Sequence, residues 1–346
     1  MKKINKISLF SGIEAFDMAL RNIGVPVNTL ALSEINEYSS LSCCAIHNYE
    51  SDLNKGDVCE FDGTKFNNVD LLTHGSPCTS MSLEGKKEGA DKGSGTASSL
   101  LWESVRIIKE CLPKVVVWEN VYTVTNKKNI HNFEAYLNEL EEIGYTNYHN
   151  IYCGLDYDTP QNRKRMVVVS VHNTSDLTFA IPSKLKQTKK LSDLLETNVD
   201  GKYDLEQKVV EQLLLDDKNL LGQIRIKNGT KQGWIHAEEG DGIDFNRPES
   251  KTRRGRVQKE RSNTLLRSKT LGTYQNGKLR YFTPLEYWRL QGFKDEDYYT
   301  SRKALEEHQV KTNKKFDVDT QLYFQAGNSI PVNILEEVFK ELYIKN

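Results

Sequence analysis

The sequence predicts an α/β fold built on a parallel sheet, and three features of the chain support this prediction. Short apolar runs alternate with amphipathic helical patterns through the first half, as they do in parallel sheets with right-handed crossover helices. From about residue 181 the pattern loosens into polar, basic sequence with short strand-like pieces, so we expect a second domain there. Helical periodicity returns near the C-terminus in PVNILEEVFKELYI, where Pro331 suits a first helical turn.

The elements of the first half follow one another in order. KISLF is a predicted strand that ends at Phe10 and leads through SGIEAFDMALRNIG into a second strand, NTLALSE. The segment EYSSLSCCAIHNY has a helical pattern, as do the residues from Leu100 to Cys111 and the segment FEAYLNELEEIG. The remaining strands are predicted in VDLLTHGSP, KVVVWEN and RMVVVSV.

The charge of the chain is unevenly distributed. Its 346 residues carry 47 basic and 48 acidic side chains, so the molecule as a whole is nearly neutral. Between residues 245 and 282, however, eleven Lys and Arg residues stand against two Glu residues. A basic region of this kind favours the docking of a polyanion on one face, with a solvated loop as the alternative.

The cysteines and the N-terminus argue against several classes of protein. The six cysteines form no CxxC pair and have no metal-ligand spacing with the seven histidines, which predicts a reduced intracellular protein without structural zinc. The apolar run near the N-terminus is interrupted by Glu14 and Asp17, so it is typical of neither a signal peptide nor a membrane anchor.

Three residues at predicted strand ends indicate an adenosine-containing cofactor. The first strand is followed by a single glycine, Gly12, whereas a dinucleotide fingerprint needs three glycines. Glu34 follows the second strand, where a carboxylate can accept both ribose hydroxyls, and Asp57 can accept from an adenine amino group. An acidic residue at a strand end also occurs by chance, so the three residues carry the interpretation together.

A thiol, a carboxyl group and two guanidinium groups follow the other strands. Cys78 comes directly after Pro77, Glu119 lies in VVVWENV, and Arg163 and Arg165 lie in QNRKR. Taken singly, a cysteine is more often an inert small hydrophobe, and a glutamate is usually solvated. Groups of this kind are costly to collect in one cleft without a function, so they predict an active site.

At this point the sequence resembles the DNA (cytosine-5)-methyltransferases of the bacterial and phage type. Nine motifs occur in the order typical of that family: FSGIEAF, SEINEYS, GDV, GSPCTSMS, SLLWESVRII, ENV, QNRKR, TPLEYWRLQGF and QAGNSIPV. The resemblance implies a Rossmann-like, S-adenosylmethionine-dependent methyltransferase sheet with a smaller, irregular, mostly β target-recognition domain. It implies a catalytic and cofactor-binding domain of residues 1–178 plus 322–346, and a target-recognition domain of residues 179–321.

The same resemblance assigns a role to each catalytic group. Cys78 adds to carbon 6 of a cytosine, because carbon 5 alone is too weak a nucleophile to take a methyl group. Glu119 protonates or hydrogen-bonds ring nitrogen 3 and so withdraws the developing negative charge. Arg165 holds the base carbonyl oxygen, and Arg163 lies close to it and to the sugar-phosphate. The base must leave the duplex for this reaction, and residues 80–98 are expected to close over it as a lid.

The resemblance also predicts the residues that bind the cofactor and the DNA. The expected S-adenosylmethionine-binding residues are Phe10, Ser11, Gly12, Ile13, Glu34, Ile35, Asp57, Val58, Pro77, Leu100, Asn328 and Ser329. The expected DNA-binding residues are Ser80, Ser82, Arg253, Arg254, Arg256, Thr264 and Leu265.

The chain departs from the family pattern at two places. Glu14 and Ala15 stand where the family usually has two glycines, which affects the geometry of the cofactor loop. Thr79 stands where a glutamine is common, which affects contacts beside the nucleophile. Neither departure removes a group that performs chemistry.

The resemblance implies a cytoplasmic monomer that acts on double-stranded DNA, uses no metal and contacts no membrane. It further implies a role in restriction-modification or in the protection of phage DNA, with a cognate restriction endonuclease as a possible partner. Three alternatives remain: a cytosine-5 methyltransferase acting on transfer RNA, a catalytically silent DNA-binding module, and a nicotinamide-dependent oxidoreductase.

Overall fold

A six-stranded sheet forms the centre of the N-terminal half of the computed structural model, which describes residues 2–77, 93–215 and 223–345. Its strands are β1 (Ile4–Leu9), β2 (Val27–Ser33), β3 (Leu71–His74), β4 (Val115–Val121), β5 (Tyr145–Cys153) and β6 (Lys164–His172). They lie in the order β2-β1-β3-β4-β6-β5.

The sheet is mixed, so the prediction of an all-parallel sheet is wrong at one end. β1 to β4 pair in parallel, but β6 pairs antiparallel with both β4 and β5. β5 was not predicted from the sequence. Its alternation of partly exposed polar residues is that of an edge strand, and no short apolar run marks it.

Both faces of this sheet are covered by helices. These helices are α1 (Ala15–Asn22), α2 (Glu37–His47), α3 (Leu101–Cys111) and α4 (Ile130–Glu142), and each was predicted from the sequence. Alternate residues of β4 enter different cores, since Val115 and Val117 pack in one hydrophobic cluster and Val116 and Trp118 in another. Burial on both faces explains why the predicted strands are continuous apolar runs.

A smaller region of short strands follows the central sheet. It contains α5 (Gln207–Leu213), β7 (Gln223–Lys227), β8 (Trp234–Glu238), β9 (Gly242–Asp244), β10 (Arg256–Gln258), β11 (Leu271–Gln275) and β12 (Lys278–Tyr281). β7 and β8 form a hairpin, and the other strands form an antiparallel sheet in the order β10-β9-β11-β12. The expectation of a smaller, mostly β region is confirmed.

Four helices end the chain and join the core of the first half. They are α6 (Pro284–Leu290), α7 (Asp295–Thr312), α8 (Val318–Asn328) and α9 (Val332–Tyr343). α6 begins with a capping box between Thr283 and Glu286, with proline in its first turn. Trp288 of α6 and Leu305 of α7 lie in the same buried cluster as Phe16 of α1. Both helices fall within residues 179–321, yet they share the core of the first domain.

Within the described ranges, no helix is both long enough and apolar enough to cross a membrane.

Candidate active site

One edge of the central sheet collects most of the predicted site residues. The parallel strands β1 to β4 end at this edge, so the segments that follow them lie there together. Because β6 runs antiparallel to β4, its first residues lie where β4 ends, and Arg165 pairs with Val121. The direction of β6, which the sequence did not reveal, is what brings Arg165 to the site.

Glu119 and Arg165 form an ion pair at this edge. Arg165 Nε lies 2.8 Å from Glu119 Oε1, and both side chains are largely buried, with exposed fractions of 11% and 14%. Burial raises the pKa of Glu119 above its ordinary value, although the charges of Arg165 and Arg163 act to lower it. A carboxyl group with a raised pKa is suited to carry a proton to a substrate.

The segment that leads to Cys78 is held by side chains of β4. Asn120 Nδ2 donates to Ser76 O at 3.0 Å, and Trp118 Nε1 donates to Ser76 Oγ at 3.1 Å. Ser76 is buried and Pro77 half-buried. Asn120 and Ser76 were not among the predicted site residues, and their signal in the sequence is their direct adjacency to Glu119 and Pro77.

Four residues singled out from the sequence, Cys78, Thr79, Ser80 and Ser82, lie outside the described residues, as does most of the expected lid.

The loop between β1 and α1 has an unusual backbone. Phe10, Gly12 and Glu14 all have positive φ, at 54°, 55° and 63°, a conformation that residues other than glycine rarely adopt. Ser11 N donates to Ser33 O at 3.1 Å and ties the loop to the end of β2. A Cβ built on Gly12 would meet no atom within 4 Å, so the space beside the loop is open to a ligand.

Glu34 fixes this loop against the second strand. Its Oε2 accepts from Gly12 N at 2.9 Å, and its Oε1 accepts from Asn36 N at 2.7 Å. Asn54 holds the Glu34 backbone, accepting from Glu34 N at 3.0 Å and donating to Glu34 O at 2.8 Å. Burial raises the pKa of Glu34, and the backbone hydrogen bonds act against this rise.

The other predicted cofactor residues surround the same edge. Ile35 is 76% exposed, a large apolar surface directly beside Glu34. Asp57 is exposed and its Oδ1 accepts from Cys59 N at 2.9 Å, whereas Val58 is buried. Leu100 is half-buried and Ile13 is buried in the core.

Arg106 holds the turn that follows Asp57, and it was not among the site residues predicted from the sequence. Its Nη2 donates to Val58 O at 3.1 Å and its Nη1 donates to Phe61 O at 3.0 Å. Two glutamates of α3, Glu103 and Glu110, pair with the same guanidinium group. The sequence offers one signal for Arg106, which is its place in the motif SLLWESVRII.

Arg163 is held by backbone carbonyl oxygens of distant segments. The side chain is 1% exposed, and its guanidinium donates to the backbone oxygens of Leu265 at 2.9 Å, Gly327 at 2.8 Å and Ser329 at 2.5 Å. These hydrogen bonds join three distant segments of the chain, and the predicted place of Arg163 beside the sugar-phosphate stays a prediction. Next to Ser329, Asn328 is exposed at the end of α8.

Thr264 and Leu265 also contact the residues just before β6. The Thr264 hydroxyl donates to Asn162 O at 2.5 Å, and Leu265 N donates to Gln161 Oε1 at 3.2 Å. Leu265 is 1% exposed and belongs to the main hydrophobic cluster. The side chain of Leu265 is thus part of the core, and the predicted contact of this residue with DNA stays a prediction.

The three predicted DNA-binding arginines lie in a short basic segment, residues 253–256, which ends at the first residue of β10. Arg253 and Arg256 are exposed and Arg254 is half-buried. Arg256 Nη1 lies 3.8 Å from Asp244 Oδ2, a loose ion pair with a 58% exposed arginine. Among the residues that the structure describes, no group of three or more His, Cys, Asp or Glu side chains is arranged to hold a metal ion.

The chain is similar to known methyltransferases in sequence and in fold. Residues 4–343 match the family model described as C-5 cytosine-specific DNA methylase. The orphan methyltransferase M.SPRI of Bacillus phage SPR is 28% identical, with 99% of this chain and 98% of that protein covered. The type II methyltransferase M2.ScrFI of Lactococcus lactis subsp. cremoris is 32% identical, with 84% and 71% covered. Among solved structures, the Entamoeba histolytica methyltransferase EhMeth has a TM-score of 0.69 at 17% identity, with 100% and 99% of the two chains covered.

Proposed function

The chain belongs to the family of C-5 cytosine-specific DNA methylases, and on that premise we propose that it flips a cytosine out of duplex DNA and methylates it through a covalent adduct. S-adenosylmethionine is the proposed methyl donor and Cys78 the proposed nucleophile. The observation that carries this proposal is the ion pair between Glu119 and Arg165, at the sheet edge where the segment leading to Cys78 begins.

The proposed reaction assigns one task to each group. The Cys78 thiolate adds to carbon 6 of the cytosine, and Glu119 gives a proton or a strong hydrogen bond to ring nitrogen 3. Carbon 5 becomes nucleophilic and takes the methyl group, and the donor would leave as S-adenosylhomocysteine. A base then removes the proton from carbon 5, the bond between Cys78 and carbon 6 breaks, and the thiolate is restored. Glu119 takes back any proton that it gave to ring nitrogen 3.

Arg165 orients the carboxyl group of Glu119. Its remaining N–H groups are proposed to donate to the base carbonyl oxygen. Its Nε is committed to Glu119 and its Nη1 donates to Lys164 O at 2.8 Å. A guanidinium has five N–H donors, so the pair with Glu119 leaves donors for a substrate. We propose Arg163 as a positioning residue, because its guanidinium is enclosed by backbone carbonyls.

The residues around the β1–α1 loop fit an adenosine-containing cofactor. S-adenosylmethionine supplies an electrophilic methyl group when it is bound. Glu34 lies at the end of β2 and is proposed to accept from the ribose hydroxyls, and Asp57 from the adenine amino group. The exposed side chain of Ile35 offers an apolar surface to the adenine face, and open space beside Gly12 allows close approach of the ligand.

The remaining assignments are proposals of the same kind. We propose two domains, with α6 and α7 counted with the catalytic part because they share its core. The basic segment that contains Arg253 is the proposed contact with DNA. The relatives named as type II methyltransferases support a modification role. We further propose that the chain acts in the cytoplasm as a monomer, with a restriction endonuclease where the system includes one.

Transfer of a labelled methyl group from S-adenosylmethionine to duplex DNA tests the function. The proposal expects label in duplex DNA, none in transfer RNA, and 5-methylcytosine at a defined sequence. A duplex that contains 5-fluorocytosine should trap a covalent adduct, because fluorine at carbon 5 cannot leave as a proton does. Cys78→Ala should abolish both the trap and the transfer while retaining DNA binding. Label in transfer RNA alone would support the RNA alternative instead.

A further inference from the structure

A buried cluster of charges lies directly behind the proposed cofactor loop. Lys6, on strand β1 of the central sheet, is 0% exposed. Its Nζ lies 2.6 Å from Glu14 Oε1 and 2.8 Å from Asp17 Oδ1. Glu14 is the last residue of the loop between β1 and α1, so the ion pair joins the end of this loop to the strand before it.

The cluster is anchored on its other side by α2 and β2. Asp17 Oδ2 accepts from the Thr29 hydroxyl at 2.8 Å and from the Tyr49 hydroxyl. The ring of His47 stacks on Tyr49, and His47 Nε2 lies 3.2 Å from Ile13 O. Thr29 of β2, His47 of α2 and Tyr49 after α2 therefore each contribute a contact to the cluster or to the loop itself.

The electrostatics leave Glu14 dependent on Lys6. Burial raises the pKa of Glu14, and the charge of Lys6 opposes that rise. Burial also acts to raise the pKa of Asp17, but Lys6, His47 and Tyr49 outweigh it and the pKa lies below its ordinary value. Breaking a buried ion pair by removal of one partner is strongly unfavourable, because the other charge remains buried without compensation.

The backbone conformation of Glu14 indicates what the ion pair between Lys6 and Glu14 does. Glu14 has φ of 63° and ψ of 58°, the left-handed conformation, directly before α1 begins. An L-residue with a Cβ is strained there, whereas glycine is not. Such strain persists only where surrounding contacts impose it.

We propose that Lys6 and Glu14 are positioning residues for cofactor binding, acting together to hold residue 14 in the left-handed conformation that a glycine would adopt unaided. Asp17 completes the cluster and keeps Lys6 in place. The loop so fixed presents Gly12 N to Glu34 at 2.9 Å and leaves the open space beside Gly12. This inference rests on the proposal that the loop binds S-adenosylmethionine.

Calorimetric titration of S-adenosylmethionine into the full chain without DNA tests the inference. Glu14→Ala removes the ion pair but keeps a Cβ, so its Kd should rise about tenfold or more. Glu14→Gly removes the same ion pair and also the strain, so its Kd should return to within about threefold of the parent. The kcat at saturating cofactor should change little in either variant.

A matched control separates positioning from general loss of stability. Glu286 forms an equally buried ion pair with Arg280, at 2.7 Å, in a part of the chain away from the loop. Glu286→Gln should lower the Tm without changing the Kd. The inference is overturned if Glu14→Ala binds as the parent does, if Glu14→Gly is as weak as Glu14→Ala, or if Glu286→Gln weakens binding equally. A parent protein that binds no S-adenosylmethionine would refute the proposed function instead.

Discussion

Glu119 and Arg165 are diagonal neighbours on two antiparallel strands. Glu119 pairs with Val167 across the strands, and Arg165 pairs with Val121, so the two side chains lie on one face with Nε and Oε1 2.8 Å apart. Diagonal pairs of this kind are within reach of long side chains. The sheet register therefore fixes the orientation of the carboxyl group, before any substrate binds.

Replacement of Glu119 by glutamine should slow methyl transfer by roughly a hundredfold to ten-thousandfold. An amide has nearly the same shape but cannot give a proton to ring nitrogen 3. Single-turnover kinetics with saturating DNA measure the effect, and DNA affinity should remain near that of the parent. Glu307→Gln, at a 68% exposed position of α7, is the matched control. A Glu119→Gln rate within a few-fold of the parent would mean that Glu119 is structural.

The pH dependence of the rate should follow the protonation of Glu119. Burial holds its pKa above the ordinary value, and the protonated form acts in the reaction, so the rate should fall as the pH rises through that pKa. Arg165 lowers this pKa by its charge. Arg165→Gln should therefore move the falling limb to higher pH while lowering the maximum rate. A limb that stays in place or moves to lower pH would separate Arg165 from the titration of Glu119.

The same carboxyl group should affect stability with a defined sign. Because the folded-state pKa of Glu119 is raised, its contribution to stability is present below the ordinary pKa and is lost as the pH rises through the folded-state value. Glu119→Gln should lack this loss, and its Tm should decline less than that of the parent over that interval. Thermal unfolding at a series of pH values measures the difference.

Arg163 is expected to act on stability before chemistry. Arg163→Met removes one donor from each of the oxygens of Leu265, Gly327 and Ser329, which should lower the free energy of unfolding by about 2 to 4 kcal/mol. Arg163→Lys keeps the charge but cannot span three carbonyls. Its free energy of unfolding should therefore lie between that of the parent and that of Arg163→Met. Denaturant unfolding provides the measurement. Full stability with a lost rate would indicate direct contact with substrate.

The sequence predicted those features that depend on local pattern. The apolar runs of β1 to β4 and the positions of Glu34 and Glu119 follow from strand burial and from the rule that ligands meet parallel strands at their carboxyl ends. The direction of β6 has no local signature, because the run MVVVSV is equally apolar in either direction. Contacts between distant segments were also hidden. In the sequence Lys6 is an ordinary polar residue at the start of a predicted strand, and only the folded loop brings Glu14 to it.

The long-range contacts of Arg163 and Leu265 were hidden in the same way. Their motifs suggested direct contact with DNA, but a backbone carbonyl 102 residues away along the chain is an equally good partner for a guanidinium. Nothing in QNRKR or in the Thr-Leu pair indicates which partner is used.

The basic segment near β10 yields the last prediction, which concerns Arg253, Arg254 and Arg256. Three arginines within four residues of one short segment cannot all point to a groove floor, so we expect at least two of them to contact phosphates. Each Arg→Ala change at a phosphate contact should weaken binding equally on cognate and scrambled duplexes and make the salt slope of log affinity shallower by about 1. An arginine that reads a guanine edge should instead cost about 1 to 3 kcal/mol on the cognate site and relax discrimination at one base pair.

Salt titrations of each variant on both duplexes distinguish these outcomes. Arg256, paired loosely with Asp244 at 3.8 Å, must give up that contact to bind DNA, so its loss should have a smaller effect than the loss of the exposed Arg253. Lys303→Ala, at a 77% exposed position of α7, removes one positive charge outside this segment and should leave the slope unchanged. Unchanged affinity and slope for all three arginine variants would show that the segment faces solvent and that DNA binds to another surface.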